Sequence, residues 1–167
     1  MNISLFNEGM GARTPANSSQ PELSVVVPIY NEVESIPSLI EAIASSLKAT
    51  NLAYELICVD DGSKDGSSEL LKQQAQARPD LRVVLLRRNY GQTAAMAAGF
   101  DSARGQVIVT LDGDLQNDPA DIPLLLAKLQ EGYDMVSGWR QNRQCPCVTT
   151  RVVTVAASTV WGELFGC

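Results

Sequence analysis

The chain has 167 residues, enough for one domain with a sizeable core, and its 45% hydrophobic and 19% charged residues describe a globular rather than a disordered polypeptide. A net charge of −6 at pH 7, with no basic stripe interleaved with aromatics, argues against a nucleic-acid partner. The chain contains no histidine, which removes Ser-His-Asp, Cys-His and His-ligated metal chemistry in one step.

Residues 1–22 are polar and rich in Asn, Ser, Gly and Pro, and are expected to form a flexible N-terminal arm. They lack the basic start and apolar block of a secretory signal. Leu23–Ile29 is apolar and β-branched and predicts a first buried strand. After the polar turn Asn31–Ser35, Ile36, Leu39, Ile40, Ile43 and Leu47 recur at helical spacing, which predicts an amphipathic helix from Ser35 to Ala49 with Ser35 as N-cap. Tyr54–Val59 reads as a second strand, ending on the turn cluster Asp60-Asp61-Gly62-Ser63-Lys64-Asp65-Gly66. A helix carrying Leu70, Leu71 and Ala75 on one face stops before Pro79. Leu81–Leu86 is a third strand and Arg87–Gly91 a loop. Gln92–Ala103 is an alanine-rich helix, with Gly105 just beyond its end.

Gln106–Leu111 is the fourth strand, and it runs into Asp112-Gly113-Asp114-Leu115-Gln116. Asp118 caps the next helix, Pro119 takes its first position, and Leu124, Leu125 and Leu129 mark its buried face. Tyr133–Ser137 is the fifth strand. Strands alternating with helices imply an α/β fold, a mostly parallel sheet with helices on both faces. Such sheets bind ligands outside the carboxyl ends of their strands, where every polar cluster of this chain falls. Cys58 reads as a small core residue, and Cys145-Pro146-Cys147 lacks the spacing of a zinc or redox pair. No uncharged apolar run reaches the roughly 18–20 residues of a membrane span, so the cytoplasm or the cytoplasmic face of a membrane is the expected location.

Asp112 and Asp114 at the end of a buried strand suit a hard divalent cation such as Mg²⁺, held between carboxylates and substrate phosphates. Gln116 offers a neutral oxygen ligand or orients a metal-bound water. Asp60 and Asp61 suit hydrogen bonds from a ribose or from base N–H groups, with Asp65 as the helix cap. Tyr30 can lie against a nucleobase and Glu32 can bind nucleoside hydroxyls. Arg87, Arg88 and Arg140 are the cations nearest the strand ends, and Arg140 follows the fifth strand directly.

Val25-Val-Val-Pro-Ile-Tyr-Asn-Glu32, Val59-Asp-Asp-Gly-Ser-Lys-Asp-Gly66, Arg88-Asn-Tyr-Gly91 and Leu111-Asp-Gly-Asp-Leu-Gln116 stand in an order and at intervals that carry a resemblance. The chain resembles the family 2 inverting glycosyltransferases, with their nucleotide-diphospho-sugar transferase (GT-A-like, Rossmann-like) fold. More narrowly it is similar to their polyprenyl-phosphate branch, which includes dolichyl-phosphate mannosyltransferase and undecaprenyl-phosphate glycosyltransferases. The resemblance implies transfer of a sugar from a UDP- or GDP-sugar to a polyprenyl phosphate. Pro28, Tyr30, Glu32, Asp60 and Asp61 would bind the nucleotide, Asp112, Asp114 and Gln116 would bind Mg²⁺ or Mn²⁺ on the diphosphate, and Arg140 a phosphate. It also implies a membrane surface as a partner. The resemblance covers Leu23–Arg143. Residues 144–167 do not look like the family's continuation and are expected to be an atypical, truncated tail, with self-association through the uncovered surface. The alternative expectation is a nucleotide-sugar-binding remnant without turnover. A nucleotidyltransferase reading is disfavoured, because Pro28–Glu32 has neither glycine nor cation to cradle a triphosphate.

Overall fold

The computed structural model describes residues 2–6, 20–48, 50–115, 117–139 and 154–157. Its elements are β1 (Asn2–Phe6), β2 (Leu23–Ile29), α1 (Ile36–Lys48), β3 (Tyr54–Asp60), α2 (Ser67–Ala77), β4 (Leu81–Leu85), α3 (Gln92–Ser102), β5 (Val107–Thr110), α4 (Ile122–Leu129), β6 (Met135–Trp139) and β7 (Thr154–Ala157). A short 3-10 turn, Pro119–Asp121, precedes α4. The strands form one seven-stranded sheet in the order β1-β6-β7-β5-β2-β3-β4. β2 pairs in parallel with both β3 and β5, and β3 with β4.

The period of two along β2 and β3 sorts their side chains between two cores. Leu23, Val25, Val27, Leu56 and Cys58 pack into the larger one, together with Ile36, Ile40, Leu71 and Leu125 of α1, α2 and α4. Val26, Ile57 and Val59 face the other way, against Ala95 of α3. Helices therefore cover both faces, as the sequence predicts. The expected apolar stripe of α1 is buried at Ile36, Leu39, Ile40, Ile43 and Leu47, each contributing on the order of 1.5–3 kcal/mol against exposure.

Several local expectations change. Asn2–Phe6, within the expected flexible arm, forms β1 and pairs antiparallel with β6. Thr154–Ala157, within the expected atypical tail, forms β7 and inserts antiparallel between β5 and β6. The fifth predicted strand lies two residues later, at Met135–Trp139. Leu124, expected on the buried face of α4, is exposed; Ile122, Leu125, Leu126 and Leu129 take that face. The Ser35 hydroxyl, expected to cap α1, instead lies within hydrogen-bond reach of the Glu32 and Gly113 carbonyls. Asp118 caps as predicted, accepting the Ala120 N–H at 2.9 Å. Among the described residues no helix is long and apolar enough to cross a membrane.

Candidate active site

The chain leaves β2 toward β3 and β4 on one side and returns with β5 on the other, so the strand order reverses between β2 and β5. The carboxyl ends of these strands splay apart at that reversal and leave a crevice. A cleft of about 330 Å³ lies there, bounded by Pro28, Ile29 and Tyr30 after β2, Asp61 after β3, Asn89, Gly91 and Gln92 before α3, and Asp112, Gly113 and Asp114 after β5.

The Asp112–Asp114 turn reaches the cleft because Gly113 lets it press on β2. A Cβ on Gly113 would stand 2.7 Å from Ile29 Cδ1 and 2.9 Å from the Pro28 carbonyl oxygen. Gly62 does the same for the turn after β3, where a Cβ would fall 2.5 Å from the Arg88 carbonyl carbon, and its φ of +71° suits only glycine readily. Asn31, at φ 54°, ties the turns after β2 and β3 together. Its N–H donates to Ser63 Oγ, and its Oδ1 accepts from the Lys64 N–H.

The adjacent aspartates after β3 have different surroundings. Asp60 continues the face of Leu56 and Cys58, toward α2; it is fully buried, and its carboxylate accepts from the Ser63 N–H and the Ser68 hydroxyl. Asp61 turns to the α3 side, where its two oxygens accept the Tyr90 and Gly91 N–H groups, each at 2.8 Å. Asp61 lines the cleft and Asp60 does not. Asp65, the expected cap, accepts from the Ser67 N–H, its hydroxyl and the Val33 N–H, while Gly66, at φ 98°, takes the N-cap position of α2. Burial opposes the ionised form of Asp65, but these bonds outweigh it and hold its carboxyl below the usual carboxylate value.

Of the sequence-predicted residues, Pro28, Tyr30, Asp61, Asp112 and Asp114 come together in the cleft. Glu32 stands beside it, with its carboxylate 3.2 Å from the Ser35 hydroxyl. Gln116 and Arg140 lie outside the described residues. The Arg88 guanidinium lies over the ring of Tyr90, 4.9 Å from its centroid. Asn89, Gln92 and Asn117 were not anticipated. Gln92 Nε2 donates to Asp112 Oδ1 at 2.8 Å, and Asn117 Nδ2 reaches Asp112 Oδ2 at 3.4 Å. A glutamine at a helix start and an asparagine before a cap look ordinary in sequence; only their approach to Asp112 sets them apart.

Asp112 and Asp114 supply hard oxygen donors, the ligand type that Mg²⁺ and Mn²⁺ take. Among the described residues no group of three or more acidic or sulfur ligands forms a closed cage.

The glycosyl transferase family 2 profile matches residues 24–161 of the chain. The chain belongs to glycosyl transferase family 2. Its family match runs past Arg143, where the sequence resemblance stopped, and takes in β7. The undecaprenyl-phosphate 4-deoxy-4-formamido-L-arabinose transferase of Proteus mirabilis is 48% identical over 124 residues, which is 74% of this chain and 38% of that protein. The chain thus spans under half the length of the curated relatives it matches. Among solved structures, the mannosyltransferase PcManGT from Pyrobaculum calidifontis, in complex with GDP-Man and Mn²⁺, superposes with a TM-score of 0.68 at 20% identity, over 89% of this chain and 48% of that one. S. aureus TarS 1-349 superposes at 0.65 with 19% identity, over 86% and 49%. Both establish the glycosyltransferase fold of this family 2 domain.

Proposed function

We propose that this chain carries the donor site of a metal-dependent, inverting glycosyltransferase that moves a sugar from a UDP- or GDP-sugar to a polyprenyl phosphate at the cytoplasmic face of a membrane. The observation that carries the reading is the convergence of Asp112 and Asp114 with Tyr30 and Asp61 in one cleft at the strand reversal. The undecaprenyl phosphate in the relatives' name supports the acceptor class, and the GDP-Man and Mn²⁺ bound to PcManGT support the donor and metal classes.

In this reading the nucleoside lies toward Tyr30 and Asp61, and the diphosphate toward Asp112 and Asp114. Asp61 keeps acceptor capacity beyond its two backbone bonds, because each carboxylate oxygen has two lone-pair directions. Asp60, whose carboxylate accepts from Ser63 and Ser68 around the start of α2, does not line the cleft and would support the nucleotide end from behind Asp61. Asp112 and Asp114, with Gln116, would hold Mg²⁺ or Mn²⁺. When bound, that ion offsets the charge that develops on the leaving diphosphate. Arg140 is assigned to a phosphate oxygen.

The acceptor needs no strong base. A phosphomonoester has a second pKa near ~6, so it is largely dianionic at neutral pH. Its oxygen attacks the anomeric carbon from the face opposite the diphosphate. The new C–O bond forms as the old one breaks, the electron pair leaves on the nucleoside diphosphate, and the anomeric configuration inverts. Positioning and charge neutralisation therefore supply most of the catalysis, which suits a histidine-free chain.

Calorimetric titration with UDP, GDP and their sugars, with and without Mn²⁺, tests the donor site. Binding that tightens with Mn²⁺ is expected; no metal-dependent binding to any of them sinks it. Incubation with undecaprenyl phosphate then tests transfer, read as formation of a glycolipid.

A further inference from the structure

The cleft contains a linkage that joins its nucleoside end to its metal end entirely through this chain's own groups. It starts at Asp61, which is 3% exposed at the end of β3. Both of its carboxylate oxygens accept backbone N–H groups, from Tyr90 and Gly91 at 2.8 Å each. Charge-assisted bonds of this kind are about twice as strong as neutral ones, so the loop ahead of α3 is held firmly. Gln92 is the next residue and the first of α3. Its side chain crosses to β5 and donates to Asp112 Oδ1 at 2.8 Å.

The chemistry fixes which end of the amide faces Asp112. An ionised carboxylate only accepts, so Gln92 must present its NH₂ group. Asn117 approaches the other oxygen of Asp112 at 3.4 Å. Asp112 is thus held between neutral donors, which orient it without neutralising it. Each oxygen retains a lone-pair direction for a cation. Carboxylates that bind metals are commonly steadied by hydrogen bonds of this sort.

We infer that Gln92 is a positioning residue for Asp112, setting the carboxylate orientation that a divalent cation meets, and that Asp61 anchors the loop from which Gln92 reaches. This inference rests on the donor-site reading above. It gives Asp61 a role that a base contact alone does not: the residue beside the nucleoside also determines where the metal ligand points.

The test is Gln92→Met, which preserves side-chain length and helix propensity but removes the donor. Gln92 is exposed, and no core contact is lost. The readout is the gain in affinity for UDP or GDP, whichever binds better, on adding Mn²⁺, measured by calorimetry. Free Mn²⁺ is followed in parallel by electron paramagnetic resonance, and the urea midpoint is measured without metal. The expected result is a loss of about 10–100-fold in the Mn²⁺-linked gain at an unchanged urea midpoint. A wild-type chain with no Mn²⁺-linked gain overturns the donor-site reading itself. A wild-type gain that survives intact in Gln92→Met overturns only the positioning role. A reduced gain with a matching fall in urea midpoint also overturns it, in favour of a structural role.

Discussion

The two edges of this sheet both carry acidic residues, and they treat them in opposite ways. At the amino ends of the strands, Glu55 is buried and saturated. It accepts from the Ser24 hydroxyl at 2.7 Å, the Arg104 N–H at 2.7 Å, and the guanidinium groups of Arg104 and Arg82 at 2.8 and 3.0 Å. Ser24 Oγ in turn accepts the Gly105 N–H. At the carboxyl ends, Asp112 is half-buried in an open cleft, meets the neutral amides of Gln92 and Asn117, and makes no ion pair with any described residue. Where the chain supplies its own cations the carboxylate is a fastener. Where it supplies neutral donors and leaves room, the carboxylate stays open to the cation proposed above. Charge alone does not separate these cases; the partners do.

The sharpest break in this comparison comes from removing a carboxylate at each edge. Asp114→Ala is expected to abolish Mn²⁺-linked nucleotide binding and to lower any transfer rate by on the order of 100-fold or more, because metal stabilisation of a leaving group is worth several kcal/mol. Calorimetry with Mn²⁺ and a glycolipid assay read this out, and the urea midpoint should stay near wild type. Unaltered metal-linked binding would move the cation away from the turn after β5.

Glu55→Ala should do the reverse. It strands two guanidinium groups and the Ser24–Gly105 corner, and breaking a buried pair costs about 3–5 kcal/mol. Arg82 and Arg104 reach water, with side chains 39% and 57% exposed. The expected loss is therefore nearer about 2–3 kcal/mol, read as a fall in urea midpoint. Nucleotide binding should persist wherever the variant is folded. A variant that unfolds no more easily but loses nucleotide would make the amino edge part of the site.

What the sequence revealed follows the same physics. β2 to β6 and the helices were legible because their apolar residues recur with periods that report burial directly, as Ile36, Leu39, Ile40, Ile43 and Leu47 do. β1 and β7 were not, because they join the sheet by antiparallel pairing with distant strands, and nothing within Asn2–Phe6 or Thr154–Ala157 encodes the partner. The cleft was legible as acidic turns after strands. The division between Asp60 and Asp61 was not, since it depends on which helix covers which face of β3. Asp60, assigned to the nucleotide from its motif, meets α2; Asp61 meets the loop before α3.

The smallest effect expected is the dependence of stability on pH at the fastened edge. Burial disfavours the ionised form of Glu55, but hydrogen bonds from Ser24, Arg104 and Arg82 outweigh it, so its carboxyl sits below the usual glutamate value. A depressed folded-state pKa means that the unfolded chain binds the proton first as pH falls. The contribution is therefore fully present above the unfolded value and is lost as pH drops through the folded one. Urea midpoints measured from neutral pH down into the acid range should fall for the wild type in that window. Glu55→Gln keeps the shape but cannot titrate, so its curve should lack this component. Identical slopes for the two proteins would mean that other carboxylates, such as Asp80 with Arg78 and Tyr54, carry the acid sensitivity, since they too are held below the usual value despite partial burial. Glu55 stands at the opposite end of the strands from the cleft, so bound Mn²⁺ and nucleotide should shift the Glu55→Gln curve as much as the wild-type curve.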